Sequence, residues 1–497
     1  MLALVLAGCQ GSAEPPPNVL LVVVDTLRRD RVSAYPDARV ETPTLEGLAA
    51  SGWTFDRASA PRAKTTPSIA TLFTGRYPHD HGVRDLTVPL RDDVPTLAER
   101  LAAGGYRTAA IVGNFVLVAR RSGLDRGFAS WTEELPDRIG VPPHDAPQRT
   151  AGSITDGALA LLGLGAPSAD GAGPREAELA GDAPWFLYLH YMDPHGAYAP
   201  PAEFVQRPAA PEPVSTPIAP TALHRPRVAD YNVPPDARLF GGGFDAALVR
   251  ARYDGEVAYV DRELGRLFAA LDRAALLDDT LVIVTSDHGE SLGEHRYYFE
   301  HGLYAYEATV GVPLIVRPPA RWGADPGRRG GDLSLADVAP TVLELLGLPE
   351  LEVGSDGPAG ESRADAWRGG SAAPRPVWSV KTERADLDGT VQLRAVRRGT
   401  WKLIRGLAFR TRAGVSELVQ VREELYDLAQ DPGETVDLSA APPSAAPLAE
   451  LRADLDRLLE ADARLRQDAL AIQADRERLE REAADDIQRL RALGYED

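Results

Sequence analysis

Four short blocks gather most of the side chains that could do chemistry. They are Val24-Asp25-Thr26-Leu27-Arg28-Arg29-Asp30; Lys64-Thr65-Thr66-Pro67-Ser68, running on through Thr74-Gly75-Arg76 to His79 and His81; His190-Tyr191-Met192-Asp193-Pro194-His195; and Ser286-Asp287-His288-Gly289-Glu290, running on through His295 to His301. Seven of the nine histidines lie in them. A carboxylate in the first block and an adjacent Asp-His pair in the last make a donor set for a hard or borderline divalent cation. A hydroxyl from the second block would complete it as the nucleophile, because a bound cation lowers a hydroxyl pKa toward neutrality. Further His and Arg groups could then hold an anionic substrate and protonate its leaving oxygen.

The elements that must position these blocks read as α/β. Residues 18–24 form a continuous apolar, β-branched run, the mark of a strand buried on both faces. Residues 108–112, 185–190, 281–285 and 313–316 read as further strands. Helices are predicted over 43–51 with Thr42 as its cap, 94–103, 150–164, 244–277 and 335–346. This alternation predicts a doubly wound, mostly parallel sheet, which binds ligands at the carboxyl ends of its strands. Asp25, Asp193 and Asp287 each follow a strand in that position. The proline-strewn stretch 200–235 reads as a long surface loop. After Gly370, short runs at 377–380, 392–396, 401–404 and 417–421 predict a small antiparallel sheet. A helix follows over 448–493, whose near-heptad leucines would either pair with a second chain or fold back. The expected organisation is a leader and linker over 1–17, a catalytic domain over 18–370, a small-sheet subdomain over 371–440 and a helical tail over 441–497.

Composition narrows the partners. The 497 residues carry a formal net charge of −19, which argues against a nucleic-acid partner, and 44% are hydrophobic, enough for a large core. Cys9 is the one cysteine, which excludes disulfides and a cysteine nucleophile in the body of the protein. Leu6-Ala7-Gly8-Cys9 follows a short apolar run and precedes the prolines Pro15 to Pro17. It resembles a bacterial lipobox, in which the cysteine is lipidated. That predicts a lipid-anchored protein on the periplasmic or extracellular face of the cell envelope.

From about Asn18 to about Leu438 the chain resembles the sulfatase family of the alkaline phosphatase superfamily. The second block resembles the family signature Cys/Ser-x-Pro-x-Arg followed by Thr-Gly, and Asp337-Val338-Ala339-Pro340-Thr341, Glu424-Leu425-Tyr426-Asp427-Leu428 and Asp431-Pro432-Gly433-Glu434 resemble later family phrases. Several departures bear on chemistry. Thr65 stands where the family carries its formylglycine precursor, Ile69 replaces the signature arginine, Thr26 replaces a second aspartate, and His288 replaces an asparagine. Thr with Asp-His is the pattern of phosphodiesterases and phosphoethanolamine transferases in the same superfamily.

The resemblance implies Asp25, Thr65, Asp287 and His288 as metal ligands, with Thr65 also the nucleophile. It implies His195 and His301 as substrate-binding and catalytic groups; Lys64, one of three lysines in an arginine-rich chain, is a further candidate for substrate binding. Lys64 reads rather as a solvated loop charge than as a substrate contact, His190 as a satisfied core residue, and His79, His144 and His224 as exposed. Mn²⁺, Mg²⁺, Ca²⁺ and Zn²⁺ all suit the donors, and a second metal becomes plausible if His195 and His301 ligate. Three functions compete: a phosphoester hydrolase or transferase, a sulfatase without formylglycine, and an inactive scaffold lipoprotein. A plain threonine ester must be cleaved by attack at the central atom, which suits phosphorus and favours the first.

Overall fold

A nine-stranded sheet forms the centre of the protein. The structure is a computed structural model describing residues 15–139, 146–165, 178–216, 218, 227–352, 357–370, 373–381, 392–412, 415–443 and 447–464. Across the sheet the strands run Gly311–Val312, Trp53–Ser59, Leu314–Arg317, Thr280–Thr285, Asn18–Val24, Trp185–Tyr191, Arg107–Val112 and Ser130–Thr132, with Gly327–Ser334 also paired to Trp53–Ser59. Thr280–Thr285 through Ser130–Thr132 are mutually parallel, while Leu314–Arg317 runs antiparallel to both its neighbours.

Pleating divides the core in two. Val19, Leu21 and Val23 face one layer, with Ile69, Phe73, Leu101 and Val342 from helices Thr65–Thr74, Leu97–Ala103 and Val338–Leu345. Leu20, Val22 and Val24 face the other, with Leu45, Ile154, Val260 and Leu264 from helices Pro43–Ala50, Ala151–Leu161 and Ala246–Arg273. Helices on both faces of a mostly parallel sheet are the doubly wound architecture the sequence predicts.

The structure departs from the sequence reading in places. Trp53–Ser59 and Gly327–Ser334 are strands although neither reads as one, because Arg57 and Asp332 interrupt their apolar patterns. Those two residues pair across the strands, Nε to Oδ1 at 2.8 Å. Thr42 does not cap the helix at Pro43–Ala50; its hydroxyl instead accepts from the Ser33 amide at 2.8 Å. Within 200–235, the described residues include short helical turns and two two-residue strands.

The predicted small sheet is antiparallel, ordered Val377–Lys381, Gln392–Arg398, Trp401–Arg412, Val415–Asp427. Its two faces do different work. Trp378, Val396, Leu403 and Leu425 pack on Leu451, Leu455 and Leu458 of helix Leu448–Arg464. Leu393, Ala395, Ile404 and Tyr426 pack on Tyr297, Tyr304 and Tyr306. The described part of the tail therefore folds back on its own chain; 465–497 lie outside the described residues.

Candidate active site

The carboxyl ends of four parallel strands converge on one buried point. Asp25 follows Asn18–Val24, Asp287 and His288 follow Thr280–Thr285, His190 is the penultimate residue of Trp185–Tyr191, and Asn114 lies just beyond Arg107–Val112. Thr65 is the first residue of the helix Thr65–Thr74, so its hydroxyl sits at the positive end of the helix. Pro67 is tolerated in the first turn, and Gly75 ends the helix in the left-handed conformation, φ 68°, its amide bonded to Thr71 O at 2.9 Å.

Asp25, Thr65, Asp287 and His288 are all fully buried. Asp25 Oδ1, Thr65 Oγ1, Asp287 Oδ2 and His288 Nε2 each lack a hydrogen-bond partner. His288 Nε2 lies 3.5 Å from Asp287 Oδ2 and 3.9 Å from Asp25 Oδ1. The other carboxylate oxygens are held from behind. Asn114 Nδ2 donates to Asp25 Oδ2 at 2.8 Å, while the Thr26 and His288 amides donate to Asp287 Oδ1 at 3.2 and 2.8 Å. The Thr26 amide reaches Asp287 because Thr26 adopts φ 57°, a costly conformation for a β-branched residue. Gly289 is required for a different reason: a Cβ there would stand 2.2 Å from Ala308 O.

Burial pushes the Asp25 carboxyl well above its usual range, and the Asp287 charge pushes the same way; the hydrogen bond from Asn114 and the nearby Thr65 hydroxyl oppose them. Burial holds the His288 imidazole down at about 4, against the pull of Asp287. It is therefore a neutral ring with an unused nitrogen, the form that ligates metals. Orphaned oxygens and a neutral nitrogen at these separations fit a divalent cation, whose charge would offset the buried carboxylates.

A second cluster borders the first. The His301 ring lies 4.4 Å from that of His288 and 5.2 Å from that of His195, centroid to centroid. His301 Nδ1 is 3.2 Å from Glu290 Oε1, and the Tyr198 hydroxyl donates to Glu290 Oε2 at 3.1 Å. Burial pushes the Glu290 carboxyl up to about 7 and holds His195 and His301 down at about 4. Lys64, 9% exposed, pairs with Asp85 at 3.0 Å, which corrects its reading as a solvated charge. His79 is buried and stacks on Tyr77, not exposed as expected. His144 and His224 lie outside the described residues.

The small sheet braces both clusters. Val380 N donates to Pro61 O at 2.8 Å and Ser379 Oγ to Ala60 O at 2.6 Å, just before Thr65. On the other side Tyr297, from the layer under that sheet, donates through its hydroxyl to His301 O.

Three participants receive no role in the sequence reading: Asn114, Glu290 and His190. His190 is buried but not satisfied, since neither ring nitrogen has a partner. Period-two spacing could have found it. It shares a face with Phe186 and Tyr188, the face that packs under the Thr65 helix.

The sulfatase family model matches residues 17–348. The chain belongs to the sulfatase family. It is thus an ester hydrolase of a generally divalent-metal-dependent family. Among its relatives is a choline-sulfatase of Rhizobium meliloti (strain 1021), 26% identical over 86% of this chain and 83% of the relative. Another is a multifunctional alkaline phosphatase superfamily protein, PehA, of Trinickia caryophylli, 29% identical over 66% of this chain and 74% of the relative. The phosphonate monoester hydrolase of Agrobacterium radiobacter superposes with a TM-score of 0.64 at 24% identity, covering 90% of this chain and 96% of that structure, and shares its fold.

Proposed function

We propose that this sulfatase-family member is a metal-dependent hydrolase or transferase that attacks its ester with Thr65 and prefers phosphorus esters, phosphonate esters included, to sulfate. The observation that carries the reading is Thr65 Oγ1: buried, unbonded, at a helix N-terminus and facing Asp25, with no cysteine in the body of the chain to serve instead. Asp25, Asp287 and His288, with Thr65, would hold a divalent cation, which when bound supplies positive charge that favours the Thr65 alkoxide.

The chain's own groups do the rest. Thr65 Oγ1 forms a bond to phosphorus as the bond to the leaving oxygen breaks and its electron pair leaves with that oxygen. His301, oriented by Glu290 and neutral at rest, takes up the proton that the Thr65 hydroxyl gives up and passes it to that oxygen, and His195 holds the transferred group. Water or another hydroxyl acceptor then attacks the threonine ester at phosphorus, the P–O bond to Thr65 breaks, and the proton of the acceptor returns to Thr65 by way of His301.

Sulfate-ester hydrolysis is the second reading, favoured by family membership and by the choline-sulfatase relative. One experiment separates them: turnover of paired aryl sulfate, phosphate monoester, phosphodiester and phosphonate monoester substrates, with bound metal measured. Phosphorus esters should turn over faster, and Thr65→Ala should lower kcat by roughly 10³-fold or more. Sulfate turnover surviving in Thr65→Ala would sink the covalent step. The absence of both metal and activity would favour an inactive binding protein.

The lipobox-like Leu6-Ala7-Gly8-Cys9, outside the described residues, supports placing the enzyme on a membrane surface of the cell envelope. Among the described residues no helix is long and apolar enough to cross a membrane. Cys9→Ser should release the protein from membranes, and unchanged membrane association would count against lipidation.

A further inference from the structure

We infer that His190 is an additional ligand of the cation, and that it turns an oxygen-rich site into one that favours imidazole-binding metals such as Zn²⁺ over Ca²⁺ and Mg²⁺. The inference rests on the metal dependence proposed above and adds a residue that the sequence assigns to the core.

The first observation is the state of the ring. His190 is fully buried, and neither Nδ1 nor Nε2 has a hydrogen-bond partner on another residue. Buried imidazoles normally spend at least one nitrogen on a protein group. The second is its aim. Nε2 lies 3.7 Å from Asp25 Oδ2, too far for a hydrogen bond. Ligand atoms of Asp25, His190 and Asp287 all fall within 4.8 Å of one another. Two donors on one ion cannot be farther apart than twice the bond length, ~4–5 Å for bonds of about 2.0–2.6 Å. The separations therefore allow one ion to touch all three residues.

Pleating explains why the ring points there. His190 pairs with Val23 on one side and Val112 on the other, so it is locked in the middle of three parallel strands. Its backbone cannot shift without breaking both ladders. Asn114, just beyond the third strand, holds Asp25 Oδ2 in place beside it. The ring is thus preorganised on the scaffold, not carried by a loop.

The chemical consequence follows from donor type. Asp25, Asp287 and Thr65 offer oxygen, while His288 and His190 offer two imidazole nitrogens. Ca²⁺ and Mg²⁺ take oxygen ligands, whereas imidazole suits Zn²⁺ and the later transition metals. A second nitrogen tilts the site toward the latter.

The test uses the full chain and no substrate. The metal-free protein is loaded with Mn²⁺, and nitrogen couplings to the ion are counted by pulsed electron paramagnetic resonance; affinities for Mn²⁺, Zn²⁺, Ca²⁺ and Mg²⁺ are measured by competition calorimetry. Wild type should show two directly bound imidazoles. His190→Phe should show one, with a 10- to 100-fold loss of Mn²⁺ and Zn²⁺ affinity on the scale of a lost metal contact. His190→Gln should shift preference toward Ca²⁺. A single imidazole in the wild type overturns the inference even if His190→Phe fails to fold. So does an unchanged metal preference in both variants. Either result leaves the metal-dependent reading intact, whereas wild type that binds none of the four ions overturns that reading too.

Discussion

Glu290→Gln offers a sharp probe of the second cluster. Glu290 Oε1 lies 3.2 Å from His301 Nδ1 in a fully buried setting, and its other oxygen is occupied by Tyr198. A hydrogen bond to a charged acceptor contributes about 1.5–3 kcal/mol, or roughly 10- to 150-fold in rate if it is expressed in the transition state. Glutamine keeps an acceptor oxygen and loses the charge, so the loss should sit near the lower end, about 10-fold. The assay is kcat/KM at pH 8 across aryl esters whose phenols span a wide pKa range. Proton donation matters little for a good leaving group and much for a poor one. The variant should therefore lose most on poor leaving groups and steepen the dependence of rate on phenol pKa. In a His301→Asn background, Glu290→Gln should cost almost nothing further, because the two act as one unit. An equal loss across the series, or the same loss with His301 already removed, would refute the assignment of Glu290 as the group that orients His301.

Other outcomes follow from the same geometry. Asn114→Ala removes the donor to Asp25 Oδ2 and should weaken metal binding about 10- to 100-fold, measured by calorimetry, with melting temperature compared in parallel. Burial alone would push the Asp30 carboxyl up, but Arg28 and Arg31 outweigh it and hold it at about 2. A depressed carboxyl stabilises the fold above its unfolded value and loses that contribution as pH falls through the folded one. Asp30→Asn should thus destabilise by about 2 kcal/mol at pH 7, and denaturant midpoints of the two proteins should converge as pH falls from about 4 toward 2. Leu455→Ala opens a cavity where the terminal helix meets the small sheet and should cost about 2–5 kcal/mol, independent of protein concentration; a concentration-dependent loss would point to pairing between chains.

Much of the frame was legible in the sequence. The strands at Asn18–Val24, Thr280–Thr285 and Trp185–Tyr191 announce themselves because a strand buried on both faces must be apolar throughout. Asp25 and Asp287 announce themselves as charges that end such runs, and because Cys9 is the one cysteine, the nucleophile proposed at Thr65 is a hydroxyl and not a thiol. The strand Trp53–Ser59 was hidden, since its Asp56 and Arg57 are balanced only by residues distant in sequence.

What only the tertiary structure decided is which polar groups lack partners. His190 reads as a core residue in any local window, and both of its nitrogens prove unspent only when three strands are aligned around it. Asn114 and Glu290 gain meaning from Asp25 and His301, 89 and 11 residues away along the chain. The role of the small sheet, bracing the loop before Thr65 and the carbonyl of His301, is likewise invisible in one dimension. Sequence carries burial pattern and chemical type, because these depend on each residue and its neighbours. Satisfaction of hydrogen bonds and convergence of charge depend on contacts closed through space, and folding alone supplies those.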